Sequence, residues 1–135
     1  DRLSVQGEYL VARVFRDTDT DPTFGGLYLL GSLFLTPDAR SYDAKSASFT
    51  SLIPTNPLSW RARQIGALEL ALRFSYVDLS DVQVRGGQAA EVMSGLNWYW
   101  NRYVRMQFNI GYAHVSGGPR PGDYTILQAR IDLQL

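Results

Sequence analysis

Hydrophobic and polar positions alternate along most of this chain, and a period of two predicts strands rather than helices. In Leu68–Tyr76 every even position is apolar or aromatic, while Glu69, Ala71, Arg73 and Ser75 fill the odd ones. Val104–Tyr112 repeats the pattern, with Arg105, Gln107, Asn109 and Gly111 between apolar neighbours. In Leu127–Leu135 the odd positions Leu127, Ala129, Ile131, Leu133 and Leu135 oppose Gln128, Arg130, Asp132 and Gln134. Residues 91–100 set Val92, Leu96, Trp98 and Trp100 against Glu91, Gly95, Asn97 and Tyr99. Leu3–Phe15 alternates less cleanly, and 24–35 is apolar on both faces, which leaves its orientation open. About six strands result, long beside the ~5–6 residues usual in globular proteins.

The connections differ in length. Asn101–Tyr103 reads as a tight turn, while 80–90 (with Gly86-Gly87) and Ser116–Gly122 read as longer loops. Residues 37–65, rich in Ser, Thr, Pro and Asn, form the longest irregular connection, with at most short structure expected. Parity constrains the tight turn. A two-residue turn at Asn101-Arg102 would set Arg105 opposite Trp98, polar against apolar. A turn centred on Arg102 sets Arg105 opposite Tyr99 and Gln107 opposite Asn97, which keeps both faces consistent, since a one-residue slip flips every side chain. An odd-length turn is predicted.

Alternation admits two solvents for the apolar face. In a soluble sandwich or lipocalin-like barrel it points to a core; in a membrane barrel it points to lipid and the polar face is wet. Ionisable groups at mid-strand, Arg73 and Arg130, suit a wet lumen. Aromatic residues mark the stripe's ends, Trp98, Trp100 and Tyr103 by the tight turn, and Tyr76, Tyr112 and Tyr124 at the far end. Val104 to Tyr112 spans roughly 20 Å along a membrane normal, for a rise of ~3.3 Å per residue and a ~40° tilt. With flanking rings that approaches the ~25 Å apolar band of outer-membrane barrels. The final alternating strand ends on apolar Leu135, where such barrels commonly end on Phe or Trp.

Composition narrows the choice further. Lys plus Arg and Asp plus Glu are 13 each, giving no basic surplus for nucleic acid. Twelve of the basic residues are Arg, with Lys45 the single lysine. Cysteine is absent, which removes disulfides and thiolate metal sites. No run approaches the ~20 apolar residues of a membrane helix. The chain opens at Asp1 within a strand-like segment and shows no signal peptide, which fits a mature or truncated chain and does not argue for the cytoplasm.

Several stretches in order carry a resemblance: Gln6-Gly7-Glu8-Tyr9; Asp21-Pro22-Thr23-Phe24 leading to Gly31-Ser32-Leu33-Phe34-Leu35-Thr36; Gly66 to Ser75; Val77 to Asp81; Gly95-Leu96-Asn97-Trp98-Tyr99 with Asn101; Val104-Arg105-Met106; and Gln128-Ala129-Arg130. Together they resemble the C-terminal region of the phosphate-selective porin O and P family over nearly the whole chain. The resemblance implies an all-β fold, an antiparallel transmembrane β-barrel of sixteen strands that forms a homotrimer in the bacterial outer membrane. This chain would supply about six C-terminal strands of that single barrel, with about ten strands before it. It also implies a passive channel for small solutes, anions such as phosphate, with outer-membrane lipid as the other partner, and neither cofactor nor enzymatic activity. If the last strand ends on the periplasmic side, 101–103 is periplasmic and 80–90 and 116–123 are extracellular. The long 37–65 segment is then periplasmic too, against the short-turn habit of that side.

The expected pore-lining and anion-contact residues are Arg73, Arg130, Arg105, Asn97, Gln107, Asn109 and Glu69, with Glu91, Tyr99 and Asp132 on the same face. Arginine lowers an anion's entry barrier and replaces its lost water. Arg105 and Asp132 are expected to pair across neighbouring strands, which leaves Arg73 and Arg130 as the better anion contacts. The expected aromatic girdle is Trp98, Trp100, Tyr103, Tyr76 and Tyr112. The family's phosphate preference resembles an arginine-ladder and lysine-trap design whose parts belong mostly to preceding strands.

Other motifs read more simply. Asp17 to Asp21 has the D-x-D-x-D spacing of a calcium loop, but Pro22 and Tyr28 replace the Gly and closing Glu that such a loop needs, so no metal is expected. His114 has no nucleophile at motif spacing and reads as a rim residue. Arg85-Gly86-Gly87 lacks the strand-to-helix context of a phosphate loop. Trp98-Tyr99-Trp100 could stack a sugar or base, yet flanking an apolar stripe it reads as girdle. Two other functions compete, a soluble ligand-binding barrel or sandwich, and a structural component of a larger outer-membrane assembly.

Overall fold

A computed structural model describes residues 1–17, 20–39, 42–43, 48–49 and 52–134. Among them are eight strands and no helix: β1 Leu3–Arg13, β2 Thr23–Phe34, β3 Tyr42–Asp43, β4 Ser48–Phe49, β5 Ala67–Asp81, β6 Val84–Tyr99, β7 Val104–Ser116 and β8 Gly122–Leu133. Six form one antiparallel sheet in the order β1-β2-β5-β6-β7-β8, while β3 and β4 pair separately within the long connection. The sheet is open, with β1 and β8 at its edges.

The tight turn takes the predicted register. Tyr99 lies opposite Arg105 and Asn97 opposite Gln107. The Trp100 N–H donates to the Val104 carbonyl at 3.0 Å, which closes a three-residue turn. The Asn101 side-chain oxygen accepts the N–H groups of Tyr103 (2.8 Å) and Val104 (3.0 Å), a local bond that only a short polar side chain supplies.

The expected loop over 80–90 is corrected. β5 runs to Asp81 and β6 starts at Val84, so only Val82-Gln83 turn. Gly86 and Gly87 serve a bulge instead. Asp78 pairs with Gln88 and Ser80 with Arg85, so two glycines oppose the single residue Leu79. Gly87 sits at φ +87° and donates its N–H to Ser80 Oγ at 3.0 Å. A Cβ on Gly86 would come within 2.3 Å of the Leu79 carbonyl oxygen. The pair looks like loop sequence but lets a long hairpin bend.

Register settles the orientation of β2. Leu29 pairs with Phe74 and Leu33 with Leu70, so the odd residues of β2 share the apolar face of β5. On β1 the same face carries Leu3, Val5 and Tyr9. Across all six strands this face holds no ionisable side chain between the row of Trp98 and the row of Tyr76. Charges resume in the row of Tyr76 itself, at His114 and Asp123, and beyond it at Asp78 and Arg13. The opposite face carries Glu8, Arg73, Glu91, Arg105, Arg130 and Asp132. Tyr124 is a second correction. It pairs with Ala113 on the polar face, because the apolar stripe of β8 runs through odd positions. Tyr9, which the sequence reading left out, stands in the tyrosine row in its place: Tyr9 pairs with Leu27, and Leu27 with Tyr76.

The connections gather at two ends. Residues 14–17, 20–22, 82–83 and 117–121 share one end, where Thr20 Oγ1 meets Gln83 Oε1 at 2.7 Å and the Thr23 N–H donates to Asp81. The turn at 101–103, residues 35–38 and 52–66, and residues 1–2 and 134 share the other. There the Leu35 N–H donates to the Leu68 carbonyl (2.8 Å) and the Leu58 N–H to the Trp100 carbonyl (2.7 Å). Leu52 packs on Phe34, Ala67 and Tyr99, the buried apolar residues of the described chain. This small core therefore lies at one end of the polar face, beneath the long connection.

Asp38 pins that connection. It is buried and accepts the Thr55 N–H at 2.7 Å. Burial pushes its pKa up, but the Thr55 N–H and the hydroxyls of Thr36 and Thr55 favour the carboxylate and hold it below its ordinary value. A depressed carboxylate contributes stability above the unfolded pKa, near 3.9, and loses it as pH falls through the lower folded value. Amide exchange at residues 52–58, corrected for its intrinsic pH dependence, is expected to speed up only in that acidic window. Asp38→Asn is expected to show about ten-fold faster exchange already at pH 7, the cost of one charge-assisted bond. Equal exchange in variant and parent would remove Asp38 from this role.

Candidate functional site

The polar face is the candidate site, because strand alternation brings there the side chains that a wet surface needs. Arg73, Arg105, Arg130, Asn97, Gln107, Asn109 and Glu69 all stand on it, as do Glu91, Tyr99 and Asp132. Near the end carrying the small core, a hydrogen-bonded belt crosses four strands. Glu69 of β5 is 1% exposed and accepts from Asn97 Nδ2 (3.0 Å) and Tyr99 Oη (2.9 Å) of β6. Gln107 of β7 donates to Asn97 Oδ1 at 2.8 Å. Arg105 donates from Nε (3.0 Å) and Nη2 (2.6 Å) to Asp132 Oδ2 of β8 and lies 5.7 Å from the Tyr99 ring centre. Every member thus has a partner, as a polar side chain as buried as Glu69 requires.

The expected Arg105–Asp132 pair is formed. Arg130, expected to be available to an anion, also pairs with Asp132, through the carboxylate's other oxygen. Arg73 differs from both. Among the described residues it has no carboxylate partner, and its guanidinium carbon lies 4.8 Å from the Tyr28 ring centre. Cation–π contact orients a guanidinium while leaving its donors free. Asn109 lies over Gly95, where a Cβ would come within 2.5 Å of its Oδ1.

Tyr28, Ser75 and Glu8 were missed by sequence reasoning. Tyr28 and Ser75 are cross-strand partners, and Glu8 partners Tyr28 in turn. Their relation to Arg73 depends on how β2 pairs with β5, and the long connection between them hides that register. The only signal in the sequence was that Glu8 and Ser75 fall on polar positions of their own strands; Tyr28 gave none, because its strand is apolar on both faces.

The aromatic residues lie on or beside the apolar face. Trp98 and Trp100 meet edge to face, their ring centres 5.3 Å apart, and Trp98 Nε1 donates to the Ile65 carbonyl at 2.6 Å. Tyr103 lies in the turn under the Arg102 guanidinium, at 4.7 Å. Tyr76 and Tyr112 stand at the other end of the stripe.

The remaining motifs find ordinary uses. Of the calcium-like run, Thr18 and Asp19 lie outside the described residues, and Asp21 accepts from Arg13 (3.3 Å) and the Arg16 N–H (3.2 Å). His114 meets Asp123 at 2.6 Å on the exposed apolar-face rim.

A protein of Caulobacter vibrioides, described as uncharacterized, is 33% identical over 122 residues, which cover 86% of this chain and 24% of that protein. The chain therefore spans about a quarter of the length of the relative it matches. No solved structure matches it significantly. The profile of the family described as phosphate-selective porin O and P matches residues 1–134. The chain belongs to that family.

Proposed function

We propose that these six strands are the C-terminal part of a sixteen-stranded outer-membrane barrel that conducts small solutes passively, with the apolar face against lipid and the polar face against water. One observation carries the reading: ionisable side chains are confined to one face over the height between the tryptophan and tyrosine rows. Hydrocarbon tolerates no charge, and aromatic rings settle at its boundaries. A soluble sandwich would bury its apolar face, yet Leu72 and Ile110 are each 57% exposed and Leu127 is 73% exposed. The open edges point the same way. β1 and β8 each leave one row of backbone N–H and C=O groups unpaired, which lipid cannot satisfy, so further strands must close the sheet.

In this reading the partners are outer-membrane lipid, two further copies in a homotrimer, and small solutes including anions such as phosphate. Conduction makes and breaks no bond, and needs no cofactor. The balance of charge on the wall sets selectivity, with Asp132 engaging both Arg105 and Arg130 and offsetting one of their two positive charges.

The test is the reversal potential of the full-length protein in planar bilayers under asymmetric salt. Asp132→Asn frees two guanidinium groups and is expected to raise the anion-to-cation permeability ratio by about two-fold. A barrel that inserts without conducting sinks the channel reading. A ratio unmoved by the substitution takes these arginines off the permeation path.

A further inference from the structure

One row of the polar face carries charges left apart. Glu8, Tyr28, Ser75 and Glu91 lie side by side across β1, β2, β5 and β6. Arg73, two residues from Ser75, leans over the Tyr28 ring at 4.8 Å. Ser75 Oγ is buried and has no hydrogen-bond partner among the described residues. Tyr28, Arg73, Ser75 and Glu91 wall an open hollow of about 400 Å³, with Leu10 and Val77 contributing apolar surface. Among the described residues neither Glu8, Arg73 nor Glu91 forms an ion pair. Elsewhere on this face opposite charges close on each other. Here they do not.

The charge count decides what fits. One guanidinium against two carboxylates gives +1 − 2 = −1, so a lone anion at Arg73 would lie between two repelling groups. A lone cation would leave the guanidinium unanswered. A solute bearing both signs answers both. The Arg73 guanidinium lies over the Tyr28 ring, and Tyr28 and Glu91 stand on the strands flanking β5, whose backbones are about 9–10 Å apart at ~4.8 Å per strand. A hydrogen bond of about 2.9 Å at each end leaves about 4 Å between the solute's charged groups. That is roughly the carboxylate-to-ammonium span of a small amino acid. Its length would pass over Ser75, whose hydroxyl lacks a partner.

We infer that this row is a binding station for small amino-acid zwitterions, with Arg73 taking the carboxylate and Glu91 the ammonium. The inference rests on the channel reading and narrows its solute class. It also separates two roles on one wall: the belt around Asp132 is saturated internally, and the row at Ser75 is open to a guest.

The test is conductance of the full-length protein in potassium chloride, with β-alanine, propionate or propylamine added. β-Alanine is expected to reduce the current saturably, and the single-charge probes to do so only at about ten-fold higher concentration. Glu91→Gln and Arg73→Gln are each expected to raise the half-blocking concentration of β-alanine about ten-fold, and Ser75→Ala about three-fold. Equal block by all three probes, or a β-alanine response that ignores Glu91→Gln, overturns the station while the channel stands. An inserted barrel without current overturns both. The comparison of probes uses the unaltered protein, so it decides even if a variant fails to assemble.

Discussion

Leu72→Arg is expected to destabilise the protein in bilayers by about 2–4 kcal/mol, the cost of a guanidinium at the midplane of a barrel's lipid face. Leu72 lies halfway between Leu68, in the tryptophan row, and Tyr76. Its cross-strand neighbours are Gly31 and Ser94, so nothing nearby can pair with the new charge. A residue 57% exposed on a water-facing sheet would accept the same change within about 0.5 kcal/mol. The two solvents therefore differ several-fold in the result. Gln128→Arg on β8 is the matched control, exposed on the polar face, and is expected to be near neutral. Reversible urea unfolding in liposomes measures both. Equal effects of the two arginines would place the same solvent on both faces and end the membrane reading. Polarity of the faces is what the experiment weighs.

Much of this was legible because period-two alternation is local. Leu68–Tyr76 and Val104–Tyr112 declare their faces without a partner, and parity alone set Tyr99 opposite Arg105. The Arg105–Asp132 pair followed from that register and the last turn. Failures came where the deciding neighbour is distant. β2 is apolar on both sides, so only its pairing with β5 orients it, and that pairing spans the long connection. Gly86-Gly87 permits a loop or a bulge, and the choice depends on Leu79 across the hairpin. The partners of Arg73 and Arg130 illustrate the same limit. One meets an aromatic ring on another strand, the other a carboxylate already engaged by Arg105. Alternation tells which face a side chain takes, but pairing tells whether its charge is spent there.

Gly66→Ala is expected to cost about 2–4 kcal/mol, more than a glycine at a strand entrance normally carries. Gly66 holds φ at +77°, a region that penalises any L side chain by about 1 kcal/mol. Space adds the larger share. A Cβ there would come 2.2 Å from the Tyr99 carbonyl oxygen and 3.4 Å from Trp100 Cα, and both are backbone atoms that cannot rotate away. Moving them disturbs the bonds that seat the long connection: Trp98 Nε1 to the Ile65 carbonyl, and the Leu58 N–H to the Trp100 carbonyl. It also shifts Tyr99, whose hydroxyl reaches buried Glu69. The variant should therefore lose stability and expose the Leu58 amide to exchange together. Gly31→Ala supplies the comparison, since a Cβ there meets nothing within 4 Å and its φ is ordinary. If both alanines left unfolding and Leu58 exchange unchanged, the close approach of Gly66 to β6 would not be what fixes the long connection to the polar face.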